Sequence, residues 1–196
     1  MPIVNIAERT RTALLVIDVQ HGLFATTPAP YQAAAVIERI NALSAHARSH
    51  AVPVIFIQHV QPSDGLLAGS AAWALDARLQ VQAHDIRSDK TTPDSFLRTS
   101  LEQTLATLGV RHLVLCGYAT EFCVDTTVRR AAALGYDMTL AADAHTSHDK
   151  PHASGARIRE HHNATWSSMR SFGVRIEAID SAAIDWRHAA PASLAD

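Results

Sequence analysis

Cysteine is scarce in this 196-residue chain: there are two, Cys116 and Cys123, seven positions apart. With a predicted strand-to-helix turn between them they do not form a disulfide framework, which points to a reducing compartment, the cytoplasm by default. Charge of either sign is also scarce. The net charge is -2, no basic stripe or lysine and arginine run occurs, and no acidic tail follows. The electrostatic footprint of a nucleic-acid partner is therefore missing. No apolar run approaches membrane-spanning length, and Met1 to Arg9 lack the regions of a signal peptide, so export and membrane insertion are disfavoured. Repeats, low-complexity linkers and composition breaks are absent as well. One domain over residues 1–196 is expected, with a core at about 11–180 and a loose tail at about 188–196.

What is present is an ordinary folded composition, 47% hydrophobic and 18% charged, which excludes a wholly disordered chain. Short apolar runs alternate with amphipathic segments from end to end. That is the pattern of an α/β fold, a parallel sheet of five or six strands with helices on both faces. Ala13 to Ile17, Val52 to Ile57, Leu113 to Cys116, Met138 to Ala141 and Val174 to Ile179 read as buried strands, and a less apolar strand lies near Asp85 to Ser88. Val36, Ile37, Ile40, Leu43 and Ala47 make one helical stripe. Ser100 to Gln103 fits a capping box, with Leu101, Leu105 and Leu108 behind it and Gly109 as the stop. A last helix is expected from about Ser154 to Phe172, anchored by Ile158, Trp166, Met169 and Phe172.

In open parallel sheets ligands bind beyond the carboxyl ends of the strands. Three reactive residue types follow apolar runs there: Asp18, Lys90 and Cys123. Cys123 lies in Gly117-Tyr118-Ala119-Thr120-Glu121-Phe122-Cys123-Val124, where a strand ends and a helical pattern begins. In a first helical turn the dipole favours thiolate over thiol and lowers the pKa. Each residue also has a plainer reading: Cys123 as a small buried hydrophobe, Lys90 as a solvated loop lysine, Asp18 as a turn cap. Together an acid, an amine and a thiol would make a complete nucleophilic site.

Ala13 to Gln20, then Lys90 with Asp94-Ser95-Phe96, then Gly117 to Val124 resemble, in that order, the isochorismatase-like cysteine hydrolase superfamily of nicotinamidases and N-carbamoylsarcosine amidases. The resemblance implies a catalytic triad of Asp18, Lys90 and Cys123. It also implies a cis peptide at Tyr118-Ala119 and an oxyanion hole from the amides of Ala119 and Cys123. The implied activity is cleavage of a C–N bond in a small amide or carbamoyl substrate through a thioester, with no cofactor. Alternatives are enol-ether hydrolysis of the isochorismatase type, which needs no thiolate, and a non-catalytic small-molecule-binding homologue. A homodimer or homotetramer is implied too.

Nicotinamidases bind a metal through an Asp-x-His segment and a further histidine, whereas this chain has Gln58-His59-Val60. Gln58 is a poor metal ligand, so no metal is expected and nicotinamidase activity is disfavoured. His59 remains either a polar substrate contact or a buried histidine. His145 and His148 have ligand-like spacing but no accompanying cysteine, and a solvated loop and helix face accounts for that histidine-rich region. For the crevice wall, Phe24, Trp73, Phe96, Tyr118 and Phe122 are the apolar candidates, with Gln20 and Thr120 as polar contacts. Trp73 stands out because Gly69 to Ala72 reads as a loop able to fold over the site.

Overall fold

The computed structural model describes residues 11–186. The amino-terminal segment and the tail at about 188–196 lie outside the described residues. In chain order the elements are β1 (Arg11–Ile17), α1 (His21–Phe24), α2 (Ala33–Ser49), β2 (Val54–His59), β3 (Ile86–Lys90), α3 (Leu101–Thr107), β4 (Val110–Tyr118), a π-turn (Thr120–Val124), α4 (Asp125–Ala133), β5 (Asp137–Thr146), α5 (Gly155–Ser168) and β6 (Ile176–Ile179). The strands form one six-stranded sheet in the order β3-β2-β1-β4-β5-β6, and every pairing is parallel.

Burial on both faces explains the near-continuous apolar runs. Ala13, Leu15 and Ile17 pack with Leu101 and Leu105 of α3, Val128 and Ala131 of α4 and Trp166 of α5. The alternate residues Leu14 and Val16 pack with Val36, Ile37, Ile40 and Leu43 of α2 on the other face. A period of two along β1 thus feeds two cores. No helix among the described residues is long and apolar enough to cross a membrane.

Several element ends differ from expectation. Lys90 is the last residue of β3 rather than a loop residue after it. β5 runs on to Thr146 although Asp143 and His145 interrupt its apolar pattern. Ser100 makes no side-chain cap, because its backbone (φ -88°, ψ 5°) lacks the extended geometry of a capping residue; the Thr99 hydroxyl instead accepts from the Leu101 N–H at 3.3 Å. α5 stops at Ser168, where Met169 turns extended, so Phe172 is not an anchor and is 42% exposed.

Chain order reverses between β1 and β4, and that switch point opens the crevice in such sheets. There Ile17 pairs with Gly117. A Cβ on Gly117, whose φ is +120°, would lie 2.1 Å from the Ile17 carbonyl oxygen. Only glycine lets the two central strands close together just before Asp18 and the π-turn.

Candidate active site

Four adjacent strands deliver four reactive groups to one rim. Lys90 ends β3, His59 ends β2, Asp18 follows β1, and Cys123 follows β4. Lys90 begins two strands, about 10 Å, from β1, and its long side chain crosses beneath His59 to reach Asp18. Its Nζ stands 2.7 Å from Asp18 Oδ2, with both side chains essentially without solvent contact. The same ammonium lies 3.3 Å from His59 Nδ1 and donates to the Thr92 carbonyl at 3.1 Å, so it has three polar neighbours within the protein. Neither carboxylate oxygen of Asp18 receives a directed hydrogen bond. Lys90 and Asp18 meet as a buried ion pair.

The electrostatics follow from this burial. Removal from water opposes the Lys90 charge, but the Asp18 carboxylate and Cys123 outweigh it and hold the ammonium above the usual lysine value. Burial and the nearby Lys90 ammonium push His59 below its ordinary value, so its Nδ1 is free to accept from Lys90. Cys123 Sγ is 3.8 Å from His59 Nδ1. Burial first, and the Asp18 carboxylate second, push the Cys123 thiol up to about 12, with Lys90 acting the other way. The expectation of a lowered thiol is therefore corrected: Cys123 is only 8% exposed and lies in the π-turn ahead of α4. Desolvation beside a carboxylate exceeds the helix-end effect. Cys116 is a buried strand residue, its thiol also raised by burial.

The π-turn winds around one carbonyl. The N–H groups of Phe122 and Val124 both donate to Ala119 O, at 3.0 and 3.1 Å, and the Tyr118–Ala119 peptide preceding it is cis. Thr120, which opens the turn, is tied to β5 and α5. Asn163 Nδ2 donates to the Ala142 carbonyl, so its Oδ1 accepts from His145 Nε2 at 2.8 Å. The remaining His145 Nδ1 accepts the Thr120 hydroxyl at 2.9 Å. Burial lowers His145 to about 4, which keeps that chain neutral. His148 diverges from it, bonding Tyr118 OH at 2.8 Å and Thr26 at 2.7 Å. The pair is thus engaged in separate hydrogen-bond chains. Trp166 is buried and donates to Asp125 at 2.8 Å.

Asp18, His59, Cys123, Tyr118, Ala119 and Phe122 border a cavity of about 640 Å³, with Leu23, Asp64, Leu66, Pro93 and Lys150 among its other walls. Of the anticipated wall residues, Tyr118 and Phe122 line it. The other five are placed elsewhere. Phe24 packs edge-on against Tyr118 inside the core, and Phe96 stacks on Tyr136. The Gln20 side chain bridges the His59 backbone and the Trp73 carbonyl, and Thr120 holds His145. The loop before Trp73 does reach the cavity, through Leu66 and Ala72, while the indole is not part of the wall. His59, left open by its sequence context, is at the floor, and its place at a strand end was the available signal. Asp64, Leu66 and Lys150 went unnoticed because they stand on turns outside any motif.

The ligand atoms of Asp18, His59 and Cys123 lie within 4.8 Å of one another, a set able to hold a metal ion. The donors suit zinc, but the Lys90 ammonium, paired to Asp18 and facing His59, already supplies the positive charge and repels a second. The residues present do not fit a resident metal.

An isochorismatase domain is recognised over residues 12–180. Streptothricin hydrolase of Streptomyces noursei is 34% identical over 142 residues, covering 72% of this chain and 51% of that protein. The chain therefore spans about half the length of that relative. Ureidoacrylate amidohydrolase of Variovorax paradoxus (strain S110) is 38% identical over 79 residues, 40% of this chain and 31% of that one. A crystal structure of an isochorismatase family protein superposes with a TM-score of 0.79 at 34% identity, covering 86% of this chain and 98% of its own.

Proposed function

The chain belongs to the isochorismatase family of hydrolases, and from that premise we propose a cysteine hydrolase that cleaves the C–N bond of a small amide, carbamoyl or related substrate through a thioester. One observation carries the reading. A buried thiol and a buried carboxylate, Cys123 and Asp18, border one cavity, and a buried ammonium backs the carboxylate, with Lys90 Nζ 2.7 Å from Asp18 Oδ2.

Burial beside the Asp18 carboxylate favours the resting thiol over the thiolate. The nucleophile is therefore made on demand. Asp18 takes the Cys123 proton as sulfur attacks the carbonyl carbon, and the C–S bond forms while the carbonyl π pair moves onto oxygen. The amides of Ala119 and Cys123 are assigned to that oxyanion, where one donor typically contributes about 3 kcal/mol. Collapse expels the amine, which takes the proton back from Asp18. Water, deprotonated by the same carboxylate, then attacks the thioester and returns the thiol. Lys90, 2.7 Å from Asp18 Oδ2, holds that carboxyl group in position through both halves. His59, neutral, completes the polar floor.

The test is intact mass spectrometry of the protein during turnover of a panel of small amides, with ammonia release followed in parallel. An acyl adduct on Cys123, and a loss of turnover on the order of 10³-fold or more in Cys123→Ser, are expected. Hydrolysis of an enol ether, retained in full by Cys123→Ala, would transfer the site to enol-ether hydrolysis. Absence of any turnover together with an unalkylatable Cys123 would leave a binding protein. Self-association is part of the same proposal, supported by Phe122 at the cavity rim being 57% exposed and Leu67 58% exposed; sedimentation gives the subunit number.

A further inference from the structure

Beyond the reacting groups, two charged side chains line the cavity, Asp64 and Lys150. They are not equivalent. Asp64 is met from its own turn, by Gln61 Nε2 at 2.7 Å and Ser63 Oγ at 3.2 Å. Among the described residues the Lys150 ammonium has one partner, Glu121 Oε1 at 3.4 Å, an oxygen that already accepts the Ser147 hydroxyl at 2.7 Å. An ammonium offers three N–H groups. The ammonium of Lys90 is surrounded by Asp18, His59 and Thr92, whereas among the described residues that of Lys150 meets Glu121 alone and is 28% exposed. Its backbone is held in place: Lys150 N donates to Ala153 O at 2.9 Å and Ala153 N returns to Lys150 O at 3.3 Å. Asp149 next to it accepts from the Gly155 N–H at 2.7 Å. The wall also includes Leu23, Leu66, Pro93 and Phe122, which suit an apolar spacer.

We propose that Lys150 selects the substrate: the molecule whose C–N bond is cleaved carries an anionic group, a carboxylate, at the far end of a short apolar spacer, and Lys150 donates to it. The inference rests on the C–N hydrolase reading of the floor. A cation with free donors on a low-polarity wall gives a charge-assisted hydrogen bond that an uncharged substrate of the same length does not form. Glu121 is the competing anion. It holds Lys150 at the wall in the empty cavity and weakens its field.

Matched probes test this: succinamate, glutaramate and adipamate against butyramide, valeramide and hexanamide, with ammonia release as the readout. At least one acid-bearing amide is expected to exceed its neutral partner by about 10-fold or more in kcat/KM, and Lys150→Met is expected to lower that ratio about 10- to 100-fold, through KM rather than kcat. Lys150→Arg retains the preference. Glu121→Gln, which keeps the shape and removes the competing charge, raises it. Equal kcat/KM within every wild-type pair, or an equal loss in both series in Lys150→Met, overturns the proposal. A second measurement does not need turnover: protection of Cys123 from iodoacetamide at about pH 9. If no amide is hydrolysed but acid-bearing amides protect, and protection is lost in Lys150→Met, the anion subsite stands and the hydrolase reading falls. If amides are hydrolysed but protection is blind to charge, the hydrolase reading stands and the anion subsite falls. Absence of both removes the two together.

Discussion

The two ends of the sheet both carry a polar cluster around a histidine and beside a cavity, and they differ in how far the groups of each satisfy one another. At the carboxyl end, Asp18, His59 and Cys123 border a cavity of about 640 Å³, with Lys90 buried against Asp18. At the amino end, Thr12, His112, Asp137, Thr139, Arg175 and Glu177 border one of about 340 Å³. There His112 is held on both sides, Nδ1 with the Thr12 hydroxyl at 3.2 Å and Nε2 with that of Thr139 at 3.0 Å. Asp137 accepts the Arg175 N–H at 2.8 Å, and Arg175 pairs with Glu177 at 3.5 Å. Those groups satisfy one another. At the carboxyl end a carboxylate is buried without a directed hydrogen bond, next to a thiol that burial keeps protonated. At the amino end the polar groups are met within the fold; at the carboxyl end the Asp18 carboxylate is not.

Breaking the Lys90–Asp18 pair sharpens that contrast most. Lys90→Met leaves Asp18 as an uncompensated buried carboxylate, and a loss of about 3–5 kcal/mol in unfolding free energy is expected. Turnover is expected to fall about 10²- to 10³-fold, because the proton acceptor loses its ionic partner. Adding Asp18→Asn removes the stranded charge. In urea unfolding the double variant should regain most of the stability, while its turnover stays lost. A double variant as unstable as Lys90→Met alone would mean that Lys90 acts by packing, not charge.

Acid sharpens it next. Burial lowers His145 from 6.5 to about 4, so between those values the unfolded chain binds a proton that the folded chain refuses. Stability therefore falls as pH drops through this window, by about 3 kcal/mol for this group alone. His59, His112 and His148 are lowered in the same direction, each chiefly by burial, and add to the slope. Thermal melts from pH 7 to pH 4 should be shallower in His145→Gln than in wild type. Its turnover should also drop, because Thr120 at the start of the π-turn loses the acceptor that fixes it. Parallel melting curves in the two proteins would place the acid sensitivity elsewhere.

The legible parts of the molecule were those where one physical rule acts alone. β1 is buried on both faces, so its apolar run marks the strand directly, and Asp18 is the first residue after it. β3 alternates half-buried and exposed positions and ends on buried Lys90, so its apolar signal faded before its end and the lysine read as a loop residue. β5 likewise continues through Asp143 and His145, because their side chains bond to Ser181, Thr120 and Asn163, partners remote in sequence. The wall was legible only in part for the same reason. Nearness to a motif does not say which way a side chain faces, and Phe96, six residues after Lys90, turns into the core against Tyr136. His59 stood at a strand end like Asp18 and could have been weighted by position. Lys150 depends on a turn after β5 whose length only the extended strand reveals.

The smallest expected effect comes from the quiet end of the sheet. Thr139→Val removes one hydroxyl from His112 Nε2 while keeping a β-branched side chain suited to a strand. Thr12 still holds Nδ1, so one hydrogen bond is lost and one buried ring nitrogen is left unmet, a cost of about 1–2 kcal/mol. In a chain of this size that lowers Tm by about 2–8 °C. No reacting group changes place, since Thr139 lies near the start of β5 and the π-turn follows the far end of β4. Turnover measured well below the new Tm should match wild type. If Thr139→Val instead lowered kcat as Lys90→Met does, the two ends would be coupled through the strands, and the division between structural and reactive polarity would not hold for this sheet.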